Sequence, residues 1–298
     1  MAPVNLIELN SDGFKQFLDS FDHVFSDCDG VIWVSQEPLP GVGDFFRLMK
    51  ENGKTVHFVS NNSMRSKENY IAMFNTAGVP GGFEKLTTPS VAMVEYLKSV
   101  NFDKHVFCLT CPETKRMLES YGFKTKYGPD VVHDNFGDFA EYLIDDADIG
   151  AVAFDSDYKV NLAKMIKATT YLTRPEVLFI NGPTDKLVPF NGQMTAGVAF
   201  AAEAVSELIK RKPNIGLGKP SQDFGVFAMR RAFVTDPSRV LFIGDMIEQD
   251  VGLGKNTGFK TLLVLTHHTE EEVMAEPAAR QPDFYAPSLG SIVHKFTE

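Results

Sequence analysis

Cysteine is scarce in this chain. Cys28, Cys108 and Cys111 are the three it has, too few for a disulfide framework, and a reducing compartment is expected. Cys108 and Cys111 form a CxxC, yet no second pair or matching histidine follows at zinc-finger spacing, so both read as small apolar fillers at a strand end. Positive charge is also in deficit: 29 Lys and Arg face 39 Asp and Glu, for a formal net charge of -10. Polyanionic partners reward basic surfaces, which excludes a general binder of nucleic acid or acidic membrane. An anionic ligand must then be held by local positive groups. Long apolar runs are missing too. None reaches the roughly 18 residues of a membrane span, and the opening MAPVNLIELNSDGF has no basic stretch followed by a sustained apolar one. A soluble, cytoplasmic protein is expected.

What the chain does have is ordinary globular material. Its 298 residues are 44% apolar and 23% charged, enough for one large domain or two smaller ones. Short apolar runs alternate with helix-length amphipathic segments. HVFSDCD (23–29) reads as a strand, GVGDFFRLMKENG (41–53) as a helix closed by Gly53, TVHFVSNN (55–62) as a strand, and SKENYIAMFNTAG (66–78) as a helix closed by Gly78. That order predicts an α/β fold with a parallel sheet covered on both faces, whose ligands bind beyond the carboxyl ends of the strands. A similar alternation runs from about 104 to 205, with HVFCLT, IGAVAF and EVLFI as strands and NLAKMIKATTYL as a helix. The last third repeats the pattern of the first. RVLFIGD (239–245) is a strand ending in an acid, DVGLGKNTG is helix-like, and TLLVLT (261–266) is a further strand. The segment 267–289 reads as polar connection before a short closing helix. We therefore expect a Rossmann-like core from residues 1–100 and 208–298, with a second α/β unit, 101–207, inserted between its halves.

Within FSDCDGVIW (25–33), Asp27 and Asp29 stand one residue apart at a strand end. Side chains two apart share a face, so both acids can point toward one ligand while Cys28 packs inward. Two carboxylates so close need a cation or strong hydrogen bonds between them. A lone DxD is more commonly a pair of exposed loop acids, but GDMIEQD (244–250) closes another strand with Asp245 and adds Asp250. Hard oxygen ligands from several strand ends are what Mg2+ prefers. Ser60, Asn61 and Asn62 end the second strand with a hydroxyl and amides, and the turn beyond them offers N–H groups suited to phosphate. Lys219 in GLGKPS can reach back to neutralise a phosphate oxygen. It is not in a Walker A loop, because Pro220 follows it where Ser or Thr is required. GLGKNTG (252–258) reads as helix and cap punctuation, and neighbours such as His267 and His268 seldom face one ion.

The order DxDG, SNN, GKP, GDxxxxD resembles the haloacid dehalogenase superfamily of phosphohydrolases. DCDGVIW, VSNNS, LGKPS and the large insertion resemble its members with a C2-type cap, the phosphoglycolate, pyridoxal phosphate and 4-nitrophenyl phosphatases. The resemblance implies that Asp27 is a nucleophile forming an aspartyl phosphate and that Asp29 protonates the leaving alcohol and then activates water. It implies phosphate or substrate contacts from Ser60, Asn61, Asn62, Arg65 and Lys219, and Mg2+ held by Asp27, the backbone carbonyl of Asp29 and Asp245, supported by Asp250. Asp29 favours a phosphatase over a dehalogenase. The implied function is a Mg2+-dependent phosphatase of small phosphomonoesters, cytoplasmic and homodimeric through the cap. A nucleotide monophosphatase on the same fold is one alternative, and a non-catalytic phosphate-binding scaffold another. Three departures from the pattern stand out: Met246 where relatives carry Arg, His267 and His268 where a Gly is usual, and 181–197 without the PGTG of relatives.

Overall fold

The computed structural model describes residues 2–190, 193–197 and 199–298. Two compact units emerge: Met1–Ser60, Arg65–Thr87 and Lys219–Glu298 form the first, and Asn61–Met64 with Thr88–Gly218 the second. The alternation of apolar runs and amphipathic segments is realised in both.

Among the described residues of the first unit, a seven-stranded sheet runs in the order Val4–Asn5, Phe284–Ala286, Lys260–Val264, Val240–Gly244, His23–Ser26, Thr55–Val59, Leu86–Thr87. Each neighbouring pair is parallel. Strands buried on both faces need no alternation of apolar and polar residues, which is why VFS and VLFIG read as continuous apolar runs. The helix Val42–Glu51 buries Val42, Phe45, Phe46 and Met49, spaced at i, i+3, i+4 and i+7 along one face. Gly53, at φ +76°, ends it as expected. The next helix, Lys67–Thr76, is capped by the Ser66 hydroxyl, which accepts from Asn69 N, and it buries Tyr70 and Phe74. These helices pack on a core that includes Val24, Cys28, Phe58, Leu241 and Ile243.

The carboxyl-terminal segment departs from its reading. Instead of plain connection, 267–289 holds a helix, Glu270–Ala275, closed at its start by a Thr269–Glu272 capping box, and then the strand Phe284–Ala286. The closing helix, Leu289–Ile292, is present as expected. DVGLGKNTG is also more irregular than a plain helix: a π-turn, Ile247–Val251, leads into the helix Gly252–Thr257.

The second unit carries its own five-stranded parallel sheet, ordered Ile215–Gly216, Leu178–Asn181, Ile149–Phe154, His105–Leu109, Lys124–Tyr127. Its core gathers Phe107, Val152, Phe154, Tyr171, Phe179 and Val205. An antiparallel hairpin joins Leu187–Phe190 to Gln193–Ala196. Asn191 and Gly192, within the segment noted for lacking PGTG, lie outside the described residues. The borders of the unit differ from 101–207. The helix Pro89–Ser99 joins it because Met93 packs beside Gly182, and Ile215–Gly216 joins it by pairing with Ile180 and Asn181. Among the described residues, no helix is long and apolar enough to cross a membrane.

Candidate active site

The strands His23–Ser26 and Val240–Gly244 lie side by side at the middle of the first sheet, with Ser26 opposite Ile243. One residue beyond the first strand, Asp27 N still donates to Ile243 O at 2.8 Å. Asp27 and Asp245 therefore leave the sheet at the same edge. Asp250 comes back to join them from the π-turn: its Oδ2 accepts from Asp245 N and Met246 N, at 3.0 Å each. Gly244 makes that closure possible, since a Cβ there would lie 2.1 Å from Asp250 Cβ. The result is a cluster of three buried carboxylates, Asp27, Asp245 and Asp250, whose nearest oxygens all lie within 4.8 Å of one another.

Lys219 lies against this cluster. Its buried Nζ is 2.9 Å from Asp27 Oδ2 and 2.7 Å from Asp250 Oδ1. Burial alone would pull the ammonium down, but Asp250 and Asp27 hold it above its ordinary value. Burial pushes the Asp27 carboxyl well above the usual range, with Lys219 opposing. Burial likewise carries Asp245 up to about 6, against the pull of His267. One ammonium against three acids leaves an excess of negative charge. Asp245 Oδ1 is buried and has no hydrogen-bond partner among the described residues. An all-oxygen donor set with one unsatisfied buried acceptor fits a hard divalent cation.

Asp29 is held by other partners than Lys219. Its carboxylate takes a bidentate pair from Arg65, with Nη1 donating to Oδ2 at 2.7 Å and Nη2 to Oδ1 at 2.6 Å, and a further bond from Trp33 Nε1 at 3.1 Å. The guanidinium lies 5.9 Å from the Trp33 ring and 5.7 Å from the Tyr70 ring. Arg65, expected to contact phosphate or substrate, grips Asp29 and fixes where that acid stands. Asp27 and Asp29 both lie past the end of the strand, so the two-residue period does not hold between them. Cys28 is fully buried in the core, as expected. Gly30 has φ +79°, and a Cβ on it would sit 2.0 Å from Asp245 Oδ2, so the turn needs glycine for space as well as conformation.

Ser60 is buried at the end of Thr55–Val59 and hydrogen-bonds the Tyr70 hydroxyl. Asn61 and Asn62 group with the second unit, where Asn61 Nδ2 donates to Asp185 Oδ2 at 2.7 Å and Asn62 Oδ1 accepts from Met64 N at 3.0 Å. His267 and His268 do not act as a pair. His267 Nδ1 meets Asp245 Oδ2, whereas His268 turns toward Glu272 at 4.0 Å. Sequence reasoning left His267 out of the site. The available signal was its position just after Lys260–Val264, a strand paired with Val240–Gly244. Cys108 and Cys111 are buried and unbridged, in keeping with a packing role.

Residues 24–124 match the family model of the haloacid dehalogenase-like hydrolases, and residues 216–292 match a second model of hydrolases of the same kind. A 4-nitrophenylphosphatase of Schizosaccharomyces pombe is 31% identical over 94% of this chain and 95% of its own length. Phosphoglycolate phosphatase 2 of Arabidopsis thaliana is 32% identical over 96% of each. With the fold and the strand-end acids, these relatives define the class of the protein as a phosphoric monoester hydrolase. The solved p-nitrophenyl phosphatase from Archaeoglobus fulgidus superposes with a TM-score of 0.76 at 26% identity, covering 92% of this chain and 99% of that one. The chain belongs to the haloacid dehalogenase-like hydrolase family.

Proposed function

We propose that the chain is a Mg2+-dependent phosphatase of small phosphomonoesters working through an aspartyl phosphate, with Asp27 as nucleophile and Asp29 as acid and base. The observation that carries this reading is the buried cluster of Asp27, Asp245 and Asp250 with Lys219 against it. In the first step an Asp27 oxygen bonds to phosphorus, the bond to the leaving oxygen breaks, and Asp29 gives that oxygen its proton. In the second step water attacks phosphorus as Asp29 takes up its proton, and the bond to Asp27 breaks to release inorganic phosphate. Catalysis here is mostly positioning and charge stabilisation. Lys219 and Ser60 hold phosphoryl oxygens, with Asn61 and Asn62 following Ser60 in the chain. Arg65 orients Asp29 through the bidentate pair. Asp27, the Asp29 backbone carbonyl and Asp245, supported by Asp250, would hold Mg2+, which when bound supplies charge neutralisation and keeps Asp27 ionised.

The substrate candidates are 2-phosphoglycolate, pyridoxal 5'-phosphate and aryl phosphates. The names of the two curated relatives support the first and the last of these. A homodimer through the second unit and a cytoplasmic location complete the proposal. The test is hydrolysis of 4-nitrophenyl phosphate with Mg2+ and with EDTA, followed by a phosphometabolite panel read as kcat/KM. Colour only with Mg2+ is expected, and undiminished turnover in EDTA rejects the cation. A panel led by nucleoside monophosphates would favour the nucleotidase alternative.

A further inference from the structure

Asp245 is held on two sides by residues outside the acid cluster. Thr266 and His267 follow the strand Lys260–Val264, whose parallel register sets Leu263 opposite Gly244, so the loop beyond it arrives beside Asp245. There Thr266 Oγ1 donates to Gly30 O at 2.6 Å, and His267 Nδ1 meets Asp245 Oδ2. Gly30 closes the same side, leaving no room for even a Cβ against Oδ2. The other oxygen, Oδ1, is buried and has no hydrogen-bond partner among the described residues. One carboxylate oxygen is thus committed, and the other is available.

We propose that His267 is a positioning residue of the cation site, donating from Nδ1 to Asp245 Oδ2 so that Oδ1 is presented to a hard divalent cation. This rests on the metal-site reading above. His267 is not itself among the clustered ligand atoms, which among the described residues come from Asp27, Asp245 and Asp250. It acts through Asp245. A buried carboxylate without that contact has a second rotamer to occupy and two oxygens to satisfy, and the ion must then bear the cost of ordering it. His268 has no part in this, because it faces Glu272.

The experiment titrates Mn2+, a hard ion whose free form is counted by its paramagnetic resonance signal, into the metal-free full chain as wild type, His267→Ala and His267→Asn. The Asn amide nitrogen stands where Nδ1 stands and donates the same bond. His267→Ala is expected to raise the Mn2+ dissociation constant by about 10-fold to 100-fold, and His267→Asn to stay within about threefold of wild type. Thermal midpoints in EDTA establish that both variants are folded. Wild-type affinity in His267→Ala overturns the proposal, as does a His267→Asn variant as weak as the alanine one. A wild type that takes up no Mn2+ overturns the metal-site reading itself, and this inference with it.

Discussion

Replacing Lys219 with Met removes one cation from between two buried carboxylates and keeps the volume of the side chain. In metal-free protein, Asp250 retains two backbone N–H bonds to Oδ2, from Asp245 and Met246. Asp27 loses its ammonium contact at 2.9 Å and keeps its burial. Leaving an uncompensated buried charge costs about 3–5 kcal/mol, and the bonds that Asp250 keeps place this case near the lower end, about 3 kcal/mol. That is a large part of the roughly 5–15 kcal/mol by which a domain is stable. The loss must also depend on pH. Burial raises the Asp27 carboxyl well above its ordinary 3.8, so the folded state holds a proton that the unfolded state releases, and stability falls as pH rises through that window. Lys219 opposes the shift, so its removal moves the upper edge of the window to higher pH. Urea melts of wild type and Lys219→Met in EDTA should therefore show a gap that widens as pH rises. Equal stability near pH 8, or a gap that narrows as pH rises, would refute the placement of Lys219 as counter-ion to Asp27.

Three other outcomes follow from the same geometry. Asp27→Asn should lower turnover of 4-nitrophenyl phosphate by at least about ten-thousandfold while circular dichroism stays native; a near wild-type rate with Mg2+ would sink the nucleophile assignment. Gly30→Ala forces a side chain onto φ +79° and 2.0 Å from Asp245 Oδ2, so a loss of about 1–2 kcal/mol in urea melts is expected from the backbone alone, together with weaker Mn2+ binding. Unchanged stability and binding would contradict the close approach. Burial pushes the thiols up, Cys108 to about 12 and Cys111 to about 11, with Cys28 raised as well. Native protein should leave Ellman's reagent colourless at neutral pH and release the colour of three thiols in guanidinium; fast reaction of any one in the native state would show that thiol to be accessible.

The parallel core was legible because short buried runs, VFS and VLFIG among them, alternate with helix-length amphipathic segments. Phe284–Ala286 and Val4–Asn5 are too short to show any period, and their pairing with each other joins residues from opposite ends of the chain. Asp27, Asp245, Asp250 and Lys219 were each marked in the sequence by a strand end or a glycine-rich turn, and the fold brings the four together. What escaped notice were the partners that hold the site. His267 acts on Asp245 across 22 positions, a relation that exists only once two strands are in register. The resemblance implied that Arg65 contacts phosphate or substrate, and its bidentate pair with Asp29, 36 positions away in the chain, exists only once the chain is folded. The second unit begins before 101 because the helix Pro89–Ser99 packs through Met93 beside Gly182, a contact between residues 89 positions apart that no local pattern carries.

The acids of the site hang from Val240–Gly244 and His23–Ser26, with strands on either side of both. Amides in such strands exchange with solvent only when the sheet itself opens, whereas edge strands and loops breathe locally. Phe25, Ser26, Phe242 and Ile243 should therefore rank among the slowest-exchanging positions of the first unit. Asp27 and Asp245 each sit one residue beyond the end of these strands and share that protection. Fluctuations that melt the outer strands leave the acid cluster assembled, so heating should erase the catalytic geometry and the unit's cooperative structure in a single transition.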